Sequence, residues 1–402
     1  MREFMRKKLV RDLHLMVGFS ALRTISDLFL GTFFVSFVMQ VATNEILSIS
    51  IYKFFEYLAT VVGYYIFANW CKRFGKEFVF LLSLLPKIAV LILIILLGDA
   101  AVSYIVPLGI MYGVSAAMHH LPMHLMVRCK VPGNSMLRYI GLKNAIGHAT
   151  KVLAPVILGL FITIGSYTEM AYALLVLCAL EFIMMLFLSP SRHHNRQPVD
   201  FKGFLACMLR FPIIRYLLLA EVLRGFSISG VLGTVITMYT VYMFHTDLKL
   251  GFLTTVFAMC SIATTYLAGR FAVRKNFPKI LVICTVISMV VMGGFVFWTT
   301  PGTFLLYNLL YATVLTLMLQ ISDVNVYNLA QSKWIKSAHQ IEYFVARDTA
   351  LFIGRWTALI ILMYIGVFGN SGHLRWYLVA ATIGVMLSGL LSMRLSRHIR
   401  PR

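Results

Sequence analysis

The amino-acid sequence predicts an all-α integral membrane protein with twelve transmembrane helices in two pseudo-symmetric six-helix bundles. Three observations lead there: apolar runs of spanning length, basic residues in alternate connections only, and related segments 204 residues apart, such as Lys143 and Arg347.

A spanning helix needs about 20 mostly apolar residues. Of the 402 residues, 60% are hydrophobic and 13% are charged. Mean hydropathy is +0.83. A soluble chain carries roughly a quarter of charged residues, so lipid must solvate much of this surface. Spanning runs fall at 15–41, 49–70, 78–97, 101–126, 140–165, 167–189, 213–244, 249–272, 279–299, 303–330, 345–368 and 373–394. Open strand edges go unsatisfied in hydrocarbon, which leaves helices as the spanning form. The amino end is basic and then apolar, like a signal peptide. Arg23 and Asp27 interrupt it and no small-residue cleavage site follows, so it reads as an uncleaved first span.

Loop charge gives the orientation. Basic residues gather at Arg2, Arg6, Lys7, Lys8 and Arg11, then at Lys72, Arg73 and Lys76, then at Arg128, Lys130 and Arg138. They recur at Arg192, Arg196, Lys202 and Arg210, at Arg270, Arg274, Lys275 and Lys279, at Lys333 and Lys336, and at Arg394 to Arg402. The opposite loops hold little beyond Lys249 and Arg375. Positive loops stay cytoplasmic, so both termini are expected in the cytoplasm, with the chain in the plasma membrane.

The longest polar stretch, Ser189 to Pro212, divides residues 1–189 from 213–402 and reads as a cytoplasmic linker over 190–212. The 204-residue shift carries Lys143-Asn144 onto Arg347-Asp348, Tyr139 onto Tyr343, Lys151 onto Arg355, Gly165 onto Gly369 and His119 onto Asp323. A parallel repeat about an axis along the membrane normal is expected.

Other classes are disfavoured. The net charge of +21 lies in short loops, as membrane orientation requires, so no nucleic-acid partner is expected. The six cysteines form no Cys-x-x-Cys pair, so no metal site or disulfide framework is expected. No phosphate-binding Gly-x-x-x-x-Gly-Lys-Ser/Thr loop and no Gly-x-Ser-x-Gly elbow occurs, so no cofactor, ATPase or other enzyme is expected.

Ionisable groups within the spans carry the functional signal, because each costs several kcal/mol without a partner or a wet cavity. Span 1 has Arg23 and Asp27, span 2 has Lys53 and Glu56, and span 7 has Glu221 and Arg224. Span 5 has Lys143 and Lys151, span 10 has Asp323, Asn325 and Asn328, and span 11 has Arg347, Asp348 and Arg355. The acid and base on one face of spans 1 and 7 are either local ion pairs or parts of a central switch. Lys143 and Arg347, near the cytoplasmic ends, read as snorkelling. Arg23, Lys151, Arg224, Arg355 and Asn325 are the candidate cavity residues. Asp27, Glu56, Glu221, Asp323 and His119 are the candidates for proton coupling or gating, since buried carboxyls and imidazole load protons near neutrality. His119 also reads as a hydrogen-bonded polar position packed between helices. Cations outnumber acids in the inward spans, which favours an anionic or zwitterionic solute.

The stretch Ala68-Asn69-Trp70-Cys71-Lys72-Arg73-Phe74-Gly75-Lys76 resembles the loop signature Gly-x-Leu-Ala-Asp-Arg-x-Gly-Arg-Lys of the major facilitator superfamily. Arg73, Gly75 and Lys76 match; Lys72 stands at the acidic position, where the superfamily's gating contact is made. The second-half counterpart, Gly269 to Lys275, matches more weakly. Within the superfamily, Lys151 to Pro155 with Gly159, after Arg138, is similar to the YQGE-type group of bacterial transporters, whose cargo is largely unassigned. The resemblance implies the major facilitator fold. In such two-bundle transporters spans 3 and 6 usually face lipid, so their charges, Lys87 and Glu181, have to reach inward.

The expected function is secondary active transport of a small solute by alternating access, coupled to protons. A flippase for a lipid or lipid-linked precursor and a transport-dead sensor are the alternatives. The expected partners are the solute and membrane lipids, and the expected state is a monomer.

Overall fold

Every regular element among the described residues is helical, as backbone burial in lipid demands. The structure, a computed structural model, describes residues 2–30, 34, 37–38, 44–131, 136–164, 167–189, 199–228, 231–236, 247–271, 274–298, 300–332, 334–335, 339–368 and 373–398. Of the positions singled out above, Gly165, Arg192, Arg196, Lys333, Lys336, Gly369, Arg400 and Arg402 lie outside the described residues, as do the side chains of residues 2–10, Arg138, Lys151, Lys249, Arg270 and Arg274.

The long helices are α1 (Arg2–Leu28), α2 (Glu45–Arg73), α3 (Lys76–Leu97), α4 (Ile105–Lys130), α5 (Met136–Ile164) and α6 (Tyr167–Leu186). They continue as α7 (Pro212–Ser227), α8 (Asp247–Phe271), α9 (Phe277–Phe297), α10 (Pro301–Ala330), α11 (Gln340–Phe368) and α12 (Leu374–His398). Among the described residues, nine helices are long and apolar enough to cross a membrane. The others are α1, α5 and α8, of 27, 29 and 25 residues, each where a span is expected. Charges such as Arg23, Asp27, Lys143 and Lys151 dilute α1 and α5.

Local chemistry sets the ends and bends. Asn44 Oδ1 caps α2 by accepting from the Leu47 amide at 3.1 Å. Gly75, at φ 96°, turns the chain from α2 into α3, a conformation that suits glycine. Pro86 supplies no amide to the preceding turn, and α3 is interrupted there at Ser83. Pro301 opens α10 inside a Thr300–Thr303 capping box. A π-turn over Tyr311–Leu315 interrupts α10 above Asp323. One helix is absent from the sequence reading: Phe201–Arg210, within the stretch read as linker. It buries Phe204 and exposes Leu205, Leu209, Lys202 and Arg210, so it is amphipathic.

The chain forms two compact units. The first comprises Met1–Pro132, Leu153–Phe201 and Lys336–Val345; the second comprises Gly133–Val152, Lys202–Ile335 and Ala346–Arg402. Inside the first, α2 and α4 pack with backbones close together. Gly109 of α4 faces the Tyr52 carbonyl and Gly113 faces that of Glu56, leaving no room for a Cβ. This small-x-x-x-small spacing is how membrane helices approach closely. Thr60 fixes the pair by donating to the Gly113 carbonyl at 3.1 Å. Inside the second unit, α7 and α11 approach the same way, Gly225 against the Leu351 carbonyl and Gly354 against that of Val222. Tyr377 of α12 donates to the Phe226 carbonyl at 2.9 Å.

Candidate functional site

Each unit holds a cluster of charges inside its helices. In the first, Arg23 Nε lies 2.8 Å from Asp27 Oδ1, one turn on along α1. The guanidinium also donates to Ser115 of α4 at 3.1 Å and lies over the Tyr112 ring, 5.0 Å from its centroid. Tyr112 donates to Asp27 in turn. Arg23 keeps 4% of its side chain exposed and Asp27 keeps 41%. The arginine is therefore buried while its acid is accessible.

The second unit repeats this arrangement with more members. Arg224 of α7 lies 3.2 Å from Glu221 on its own helix and 2.8 Å from Asp323 of α10. Arg347 of α11 lies 2.9 Å from Glu221 and 3.7 Å from Asp323, and also pairs with Asp348. Lys143 of α5 acts electrostatically on Asp323 and Arg347. Asp323 is again the accessible member, 33% exposed against 9% for Arg224 and 7% for Arg347.

The sequence candidates therefore divide. Arg23 and Asp27 come together, and so do Glu221, Arg224 and Asp323. The local ion pair exists in both spans, but each arginine also holds a neighbouring helix, so it is more than a local device. Glu56 is paired with Lys53 at 2.7 Å and reaches Arg23 only electrostatically. Asn325 points to α12, donating to Ser396 Oγ at 2.8 Å. Arg355 is half-buried, its guanidinium 4.7 Å from the Phe352 ring centroid. His119 of α4 lies beside Glu181, its Nδ1 4.0 Å from Glu181 Oε1.

One expectation fails. Arg347 does not snorkel: its side chain is 7% exposed, because three carboxylates surround it inside the helices. Lys87 and Glu181 do reach inward, and they reach each other. Their ends meet at 2.6 Å with side chains 2% and 1% exposed. Tyr112, Ser115 and Glu342 are site residues that sequence reasoning missed, and Asp348 was singled out only as a span charge. Asp348 had a signal in its adjacency to Arg347; the hydroxyls had none, since polar residues without charge are common in spans.

At the loop signature, Lys72 Nζ lies 2.9 Å from Glu342 Oε1, with side chains 6% and 0% exposed. The backbone amide of Asp200 donates to the same oxygen at 2.8 Å. Arg73 is exposed over the Phe74 ring, and buried Lys76 donates to Cys129 Sγ at 3.1 Å. Among the described residues, no group of three or more His, Cys, Asp and Glu is disposed to hold a metal ion.

The sequence model described as Major Facilitator Superfamily matches residues 19–340. Solved structures share the fold at low identity. The human organic anion transporter MFSD10 (TETRAN) is 11% identical, with TM-score 0.75 over 94% of this chain and 99% of that one. The proton:xylose symporter XylE, bound to 6-bromo-6-deoxy-D-glucose, is 11% identical, with TM-score 0.71 over 98% and 95%. A bacterial homologue of the iron transporter ferroportin, outward-facing with soaked iron, is 13% identical, with TM-score 0.66 over 96% and 99%. No curated protein matches this chain in sequence.

Proposed function

The chain belongs to the major facilitator superfamily, and on that premise we propose a proton-coupled transporter that moves a small anionic or zwitterionic solute by alternating access. That it is a multi-pass membrane protein of the transporter fold follows from its helices and its family. The cargo class, the proton, the plasma membrane location, the cytoplasmic termini, the monomeric state and the division into bundles 1–189 and 213–402 with linker 190–212 belong to the proposal. So does the kinship with the YQGE-type group.

One observation carries the reading: a buried arginine capped by an accessible aspartate, Arg224 under Asp323 at 2.8 Å. Arg23 under Asp27, also at 2.8 Å, is the parallel case. An ionised aspartate competes with any incoming carboxylate for the guanidinium. A protonated aspartate releases it. The proton bonds to the aspartate oxygen, and the solute carboxylate takes the ion pair with arginine. Charge stays balanced within the site, which lowers the cost of carrying both through hydrocarbon. The excess of cations counted in the sequence does not serve here, since most are already paired; the displaceable acids replace it as the ground for an anionic cargo. The naming of MFSD10 as an organic anion transporter accords with this.

Lys72 and Glu342 are proposed as the gating contact. The superfamily's acid is replaced by a base, and Glu342 supplies the acid at 2.9 Å.

The test is uptake of small carboxylates into proteoliposomes under an imposed pH gradient, beside lipophilic cations and a labelled phospholipid. Gradient-driven carboxylate accumulation that Arg224→Ala abolishes is expected. Preference for cations overturns the cargo class, and lipid movement without solute uptake points to a flippase.

A further inference from the structure

Lys87, Glu181 and His119 are all buried and join α3, α6 and α4, beside the Arg23–Asp27 pair. Burying two ions costs more than an apolar pair of the same size, so their presence in hydrocarbon asks for a use. The two carboxylate oxygens differ in what they face. Oε2 is held by Lys87 at 2.6 Å, while Oε1 lies 4.0 Å from His119 Nδ1, too far for a hydrogen bond. We propose that this is a proton-binding site, with His119 taking the proton and the second oxygen of Glu181 serving as its counter-ion.

Empty, the site holds an ammonium and a carboxylate and is neutral. Loaded, it holds an imidazolium as well, and closing the 4.0 Å gap gives that charge an ion pair. Charged groups on neighbouring helices act on the site, and Lys87 itself acts on Asp27 of α1. Arg23 acts on Glu181 from α1, and Glu56 of α2 acts on Arg23. Cys178 lies one turn from Glu181 on α6 and bonds to Lys87. His120 is the neighbouring ring, 5.3 Å between centroids, and acts on Asp27.

The site has a mechanical link to the accessible acid. Ser115 is four residues before His119 on α4, so the two share a face. Ser115 accepts from Arg23, which holds Asp27. Drawing His119 toward α6 therefore moves the group that positions Arg23. Only the use of this proton in coupling rests on the transporter reading; its binding does not.

The experiment is a pH titration of ¹⁵N-histidine-labelled full-length protein in lipid nanodiscs, followed by NMR without any solute. His119→Gln identifies the relevant signal among the eleven histidines. In the wild type that signal is expected to titrate between about pH 5 and 8. Lys87→Met with Glu181→Leu removes both ions together, so burial stays balanced, and it should weaken proton affinity at His119 about tenfold or more. If that variant fails to fold, Glu181→Asp replaces it, with a smaller shift expected from the longer gap. A His119 signal constant over the range in the wild type overturns the proposal. An unshifted midpoint in the substituted protein overturns the role of Glu181. A titrating His119 in protein that moves no solute leaves the site standing and removes the transporter reading.

Discussion

Lys72 and Glu342 meet at 2.9 Å, with side chains 6% and 0% exposed. A base stands where the superfamily signature has an acid, and an acid at the start of α11 has come to meet it. The proposed gating contact thus has a base on α2 and an acid on α11.

Removing one partner costs the other its buried ion pair. Lys72→Ala and Glu342→Ala are each expected to cost about 3–5 kcal/mol of stability, read as a lower unfolding midpoint in detergent. The swap of Lys72→Glu with Glu342→Lys should recover only part. A lysine at 342 gives the Asp200 amide, now donating to Glu342 at 2.8 Å, no acceptor.

The buried pair of Lys87 and Glu181, at 2.6 Å, should behave the same way singly and differently together. Lys87→Met alone is expected to destabilise by about 3–5 kcal/mol, whereas adding Glu181→Leu should return stability to near the wild type or above. A double-mutant cycle on thermal unfolding measures the coupling.

Gly113 of α4 faces the Glu56 carbonyl, and an added Cβ would also come within 2.8 Å of the Ala59 Cβ. Gly113→Ala is expected to force α2 and α4 apart and cost about 1–3 kcal/mol. Gly147 of α5 meets nothing within 4 Å. There Gly→Ala should gain about 0.5–1 kcal/mol by limiting the unfolded backbone. Equal effects at the two positions would contradict the close approach.

Asp323→Asn keeps the shape of a side chain that is 33% exposed, so the fold should survive. Loss of its charge should uncouple uptake from the pH gradient. Arg224→Ala removes the charged bond to solute, and a loss of roughly 1.5–3 kcal/mol, about tenfold or more in affinity, is expected. Solute-dependent thermal shift measures it.

The helices were legible because hydrocarbon imposes one rule on every span, and α2, α6 and α9 obey it within a few residues. The Phe201–Arg210 helix escaped because ten residues in a polar stretch carry a pattern too short to stand out. The cluster acids and bases could be singled out one by one, since any charge in a span is conspicuous. Their partners could not. Nothing in the spacing of Lys87 and Glu181 says that α3 and α6 touch, and Arg347 near a helix end looks free to reach the headgroups. Pairing is a property of packing, and it decided which charges are accessible.

The π-turn at Tyr311–Leu315 lies eight residues before Asp323. Such a turn holds one residue more than an α-helical turn, which rotates all that follows by about 100°. The aim of Asp323 at Arg224 is thus a matter of counting: chain length upstream, rather than any side chain beside it, points the carboxylate. Lineages that lost one residue in that turn would keep every charge of the cluster in the sequence and lose the cluster itself.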